Sequence, residues 1–200
     1  MFVILYNPGA GGNMVASLID SKDFIFLPIT GTPPLLHIGA THKSLRFELQ
    51  TCKYSDSELS KDELFSQLEK TYTAISDHDF SHYMDLTERS LHNPEYTYIV
   101  IDDRKYFEQT RQRVVDIDIR TNLYAKYHGD AMHNLQYFQH RKEWIRTVQS
   151  FKMIDKIILF EDILNGNLLN VLKQWVDTPL NESIYHQWLE VNQEYLTNIK

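Results

Sequence analysis

Cysteine is almost absent: Cys52 stands alone in 200 residues. One thiol closes no internal disulfide, so stability must come from a packed core, and a reducing compartment is the expectation. A basic surplus is also missing. Twenty Lys and Arg face 27 Asp and Glu, for a net charge of -7. That balance excludes a protein that coats nucleic acid through a cationic stripe. It leaves room for a local anion site, because net charge governs solubility and steering rather than one pocket. No apolar run approaches the roughly 18 residues a membrane span needs. Met1-Phe2-Val3-Ile4-Leu5 carries no basic leader or cleavage site. A cytoplasmic protein is expected, with neither a membrane nor a nucleic-acid polymer as partner.

What is present describes a globular chain, 42% hydrophobic and 12% aromatic. The length suits a single domain over residues 1–200. Short β-rich runs alternate with helical stretches. Strands are expected at Phe2 to Tyr6, Phe24 to Ile29, Thr71 to Ser76, Tyr96 to Ile101 and Ile157 to Phe160, with a peripheral one at Leu45 to Leu49. Helices are expected at Met14 to Ile19, from the Ser60 capping box to Leu68, at Asp79 to Leu91, from Asp103 towards Tyr124, at Asn134 to Ser150, at Leu164 to Val176 and at Asn181 to Ile199. Thr30 to Pro34 must be loop. This order predicts an α/β fold of three layers, a mostly parallel sheet with helices on both faces. In such sheets ligands bind beyond the carboxyl ends of the strands, so chemistry is sought there.

The first strand runs directly into Asn7-Pro8-Gly9-Ala10-Gly11-Gly12-Asn13. Strand, glycine-rich loop and helix together present backbone N–H groups and a helix N-terminus to an anion. Glycines allow positive φ and close approach. Asn13 is placed to cap the helix or to donate its amide to a ligand. The alternative is a tight strand-to-helix turn with no guest. The loop lacks the Lys-Ser/Thr pair of a Walker A sequence, having Asn13 and Met14 after Gly12, so an ordinary ATPase or kinase is disfavoured.

With those residues in view, the chain resembles the sulfotransferase family, a P-loop NTPase-like fold that uses 3'-phosphoadenosine-5'-phosphosulfate (PAPS) as donor. Pro8-Gly9-Ala10-Gly11-Gly12-Asn13-Met14 resembles the donor loop, with Gly9 where the family carries lysine. Ile157-Ile158-Leu159-Phe160-Glu161-Asp162 is similar to the family's strand ending in Tyr/Phe-Glu-Asp, with Glu161 and Asp162 read as structural charges at a helix start. The resemblance implies His78, after the third strand, as the base that deprotonates an acceptor hydroxyl, oriented by Asp77 or Asp79, with His82 as substitute. It implies Arg104 and Thr110 as the grip on the donor's 3'-phosphate, although Asp102-Asp103 intervene. Lys43 is a candidate to replace the missing loop cation. PAPS or its product PAP is the implied cofactor, no metal is expected, and the acceptor is a small molecule, glycan or protein bearing a hydroxyl or amine. Two alternatives stand beside this one: a non-catalytic nucleotide- or anion-binding module of the same fold, and a divergent nucleotide kinase.

Other constellations carry less. His78 and His82 share a helix face but have no third strong metal ligand. Tyr127-His128-Gly129-Asp130 and the basic, aromatic stretch from His140 to Arg146 read equally as solvated surface.

Overall fold

β1 (Phe2–Leu5) contains no polar side chain, and a run of that kind suits a strand covered on both faces. Val3, Ile4 and Leu5 are wholly buried. In the computed structural model, which describes residues 1–7, 9–21, 24–40, 63, 66, 69–77, 96–121, 154 and 156–198, β1 lies inside a four-stranded sheet. It pairs in parallel with β4 (Ala74–Asp77) on one side and β5 (Thr97–Asp102) on the other. β6 (Lys156–Leu159) continues the sheet beyond β5, again parallel, giving the order β4-β1-β5-β6. The chain returns from β4 to β5 past β1. The order therefore reverses between β1 and β5, which is where a parallel sheet opens a crevice for ligands.

β2 (Phe24–Ile29) corrects the sequence reading. It is not a buried member of the parallel sheet. It pairs antiparallel with β3 (Leu35–Ala40) in a separate two-stranded sheet, Phe24 opposite Ala40 and Ile29 opposite Leu35. The loop at Thr30 to Pro34, with a cis Thr32–Pro33 bond, closes this hairpin. Pro28 is exposed, as expected of a residue with no N–H to give a ladder. Side chains cover the outer edge of β3. Asn192 accepts from the Leu36 N–H (3.2 Å) and donates to the Leu36 carbonyl (3.1 Å), as a neighbouring strand would.

The helices are α1 (Gly12–Ile19), α2 (Phe107–Thr121), α3 (Phe160–Leu164), α4 (Leu168–Leu172) and α5 (Glu182–Asn198), with a 3₁₀ turn at Arg104–Tyr106 before α2. α1 packs against β1, β4, β3 and α5. The helix expected from Leu164 to Val176 is confined to Leu168–Leu172, because the chain turns at Asn165–Asn167 with Gly166 at φ 79°. β6 also departs from expectation. Only Ile158 is fully buried, Ile157 and Leu159 are 38% and 49% exposed, and Phe160 already opens α3. Among the described residues, Trp188, Tyr185 and Phe160 are the largest fully buried side chains. The Tyr185 hydroxyl donates to the Ile163 carbonyl at 2.6 Å, fixing α5 to α3. The strand expected at Leu45 to Leu49 and the helices at Asp79 to Leu91 and Asn134 to Ser150 lie outside the described residues. So does most of the helix after Ser60. No helix among the described residues is long and apolar enough to cross a membrane.

Candidate functional site

The loop after β1 is held more tightly than a surface turn. Gly9 and Gly11 adopt φ of 92° and 80°, values that an L side chain rarely takes. A Cβ on Gly9 would lie 2.1 Å from the Thr110 carbonyl oxygen, and one on Gly12 2.0 Å from the Tyr6 ring. Protein atoms, then, already occupy the close approach that these two glycines permit. The Ala10 N–H closes a turn onto the Asn7 carbonyl at 3.0 Å.

Gly11 is the N-cap of α1, and no side chain caps it. This corrects the expectation that Asn13 would do so. The Asn13 side chain is engaged elsewhere, accepting from the Tyr6 hydroxyl (3.0 Å) and the Ser76 hydroxyl (2.6 Å) and donating to the Ile38 carbonyl (3.0 Å). It joins β4, β3 and the aromatic ring behind the loop. The first N–H groups of α1 have no acceptor among the described residues, and at a helix start such groups carry partial positive charge.

Asp103 follows β5 and faces this loop. It is 0% exposed. Its Oδ1 accepts from Asn7 Nδ2 at 2.7 Å, and its Oδ2 lies 2.7 Å from Thr110 Oγ1. Burial pushes the carboxyl above the usual carboxylate range. The hydrogen bonds from Thr110 and Asn7 oppose that, and neighbouring Asp102 adds to it. The crevice between β1 and β5 is thus bridged by side chains.

Arg104 and Thr110 are not brought together. Arg104 forks onto Asp102, Nε to Oδ1 at 2.9 Å and Nη2 to Oδ2 at 2.5 Å. Thr110 is buried against Asp103. His78, Lys43 and Pro8 lie outside the described residues. Asp77 ends β4 level with Leu5, so position 77 stands at the carboxyl edge.

Sequence reasoning missed Arg113, one turn beyond Thr110 on α2. It is buried, donating to the Gly9 carbonyl (3.3 Å) and the Leu36 carbonyl (2.8 Å), and its guanidinium lies 5.3 Å from the Trp188 ring. Burial and the Arg113 charge lower the pKa of His37 to about 3, so His37 is neutral at physiological pH. A signal for Arg113 existed. Thr110, Val114 and Ile117 form a buried helical stripe, and Arg113 falls on it.

A cavity of about 220 Å³ opens between the ends of β5 and β6, lined by Asp102, Arg104, Lys105, Tyr106, Leu159 and Glu161 among others. Lys105 Nζ reaches both Glu161 oxygens at 2.9 and 3.0 Å, so each cation on this rim is matched to a carboxylate. Glu161 and Asp162 open α3, and Asp162 accepts from Asn167 Nδ2 at 2.9 Å, in keeping with structural roles. No group of three His, Cys, Asp or Glu able to hold a metal occurs among the described residues.

Comparison with protein-family models, with curated proteins and with solved structures finds no match for this chain.

Proposed function

We propose that this protein binds a phosphorylated adenosine nucleotide of the PAPS/PAP class at the start of α1, within a P-loop NTPase-like, three-layer sulfotransferase fold. The carrying observation is the uncapped N-terminus of α1, placed directly after an inner strand of the parallel sheet. Amide groups there, together with the helix dipole, suit a phosphate or sulfate group. Strand order supports the same reading, since β1 is flanked by two later strands and the order reverses at its carboxyl end. In the catalytic form of the proposal, a sulfuryl group passes from PAPS to a hydroxyl or amine by in-line displacement. His78 takes the acceptor proton and Lys43 replaces the loop lysine.

A non-catalytic module of the same fold is the second reading, and specific contacts favour it. The Thr110 carbonyl leaves no space for a side chain at position 9, so the family's lysine is excluded there by packing. Arg104 is committed to Asp102.

Thermal melting with adenosine 3',5'-bisphosphate, ATP with Mg²⁺, and sulfate separates the readings. A ligand that binds only the folded state at one hundred times its Kd adds about 2.7 kcal/mol of stability. A shift with the bisphosphate is expected. A shift with ATP and Mg²⁺ alone points to a kinase, and none with any ligand overturns the nucleotide proposal. Turnover of PAPS with phenol and sugar acceptors then distinguishes an enzyme from a binding module.

A further inference from the structure

The hydroxyl of Thr110 has one hydrogen and two neighbouring oxygens to satisfy. Its Oγ1 lies 2.7 Å from Asp103 Oδ2 and 3.0 Å from the Phe107 carbonyl. An ionised carboxylate and a carbonyl are both acceptors only, so with Asp103 charged the single hydroxyl proton must be shared between them. Placing a proton on Asp103 Oδ2 completes the count. Asn7 Nδ2 donates to Asp103 Oδ1, Asp103 Oδ2 donates to Thr110 Oγ1, and Thr110 donates to the Phe107 carbonyl. The setting suits a neutral acid, for Asp103 is wholly buried and Asn7 and Thr110 are each 1% exposed.

The charges around Asp103 do not overturn this count. Asp102 precedes it and Arg104 follows it, the two joined to each other. Lys105 in the same turn is held by Glu161. On α2, Arg113 is bound to the Gly9 and Leu36 carbonyls, and Arg111 is paired with Glu108. The loop after β1 contributes neutral Asn7.

We propose that Asp103 is a protonated latch: as a neutral acid it ties the glycine loop to α2, and loss of its proton loosens the loop. The carboxyl titrates near the ordinary value of 3.8 when unfolded and higher when folded. Its contribution to stability is therefore complete below the unfolded value and is lost as pH rises through the folded one. A neutral Asp103 also removes the negative charge that would oppose a phosphate at α1, a consequence that rests on the nucleotide reading.

The direct test is the side-chain carboxyl ¹³C shift of Asp103 in the intact wild-type chain, followed against pH. A midpoint well above the ordinary value supports the latch, and a midpoint at 3.8 overturns it. The second test compares amide hydrogen exchange at residues 9–12 in wild type and Asp103→Asn, corrected for intrinsic base catalysis. The asparagine can accept from Asn7 and donate to Thr110 permanently. The wild-type rate should outgrow the variant's by up to about tenfold per pH unit above the folded midpoint, and equal profiles overturn the latch. Should Asp103→Asn fail to fold, the wild-type carbon titration decides. Titration with adenosine 3',5'-bisphosphate across the same pH range separates the two proposals. Absence of binding at every pH removes the nucleotide reading, while the carbon shift still judges the latch.

Discussion

Asp102 and Asp103 are adjacent in sequence and occupy opposite environments. Successive side chains of a strand point to opposite sides, and the end of β5 sends Asp102 to the open rim and Asp103 into the crevice beside β1. Asp102, its own side chain 10% exposed, meets an arginine that is 42% exposed. The Asp103 side chain meets the neutral side chains of Asn7 and Thr110 and no solvent. The rim is bound by charges that water screens, and the crevice by neutral groups that water does not reach. Side-chain changes in the crevice should therefore register in stability, and changes on the rim should scarcely do so.

Four substitutions sharpen or break this contrast, each read as a shift in urea midpoint at constant slope. Gly9→Lys should be the most damaging, about 3 kcal/mol or more, since it combines a positive φ with an overlap on the Thr110 carbonyl. A near-neutral effect would mean that the loop does not rest on α2. Asp103→Ala should cost about 1 to 3 kcal/mol by leaving the Asn7 amide unmatched. Gly11→Ala should cost about 1 kcal/mol, for the same backbone reason without the overlap, as the nearest atom to its Cβ is a Trp188 carbon at 3.5 Å. Arg104→Ala should be smallest, below about 1 kcal/mol after solvent screening, and smaller still in high salt. If Arg104→Ala proved costlier than Asp103→Ala, the distinction between rim and crevice would be wrong.

Two of the parallel strands, β1 and β5, were legible because their apolar runs are short and followed by turn residues, whereas the run from Thr71 to Ser76 is strand only from Ala74. Phe2 to Tyr6 and Tyr96 to Ile101 are matched within a residue by Phe2–Leu5 and Thr97–Asp102. The hairpin was not legible. No strand is expected at Leu35 to Ala40 beside Pro33 and Pro34, and its role depends on pairing with β2, which periodicity does not report. Pro28 was the available hint that β2 is no central strand. For the site, the glycines announced a special backbone but not the cause. At positions 9 and 12 the cause is a carbonyl and an aromatic ring of the protein itself. Asp103 read as a liability beside a phosphate, because sequence shows a carboxylate's identity and hides its protonation. Asn13 looked like a cap, and only the tertiary placement of Tyr6, Ser76 and Ile38 reveals it as a junction.

The Trp188 ring forms a wall for the loop, 3.5 Å from where a side chain at Gly11 would begin. During synthesis the loop emerges early and this wall emerges late, so the contact between them forms only once α5 has left the ribosome. Shortening the chain ahead of Trp188 should consequently disorder residues at the opposite end of the sequence.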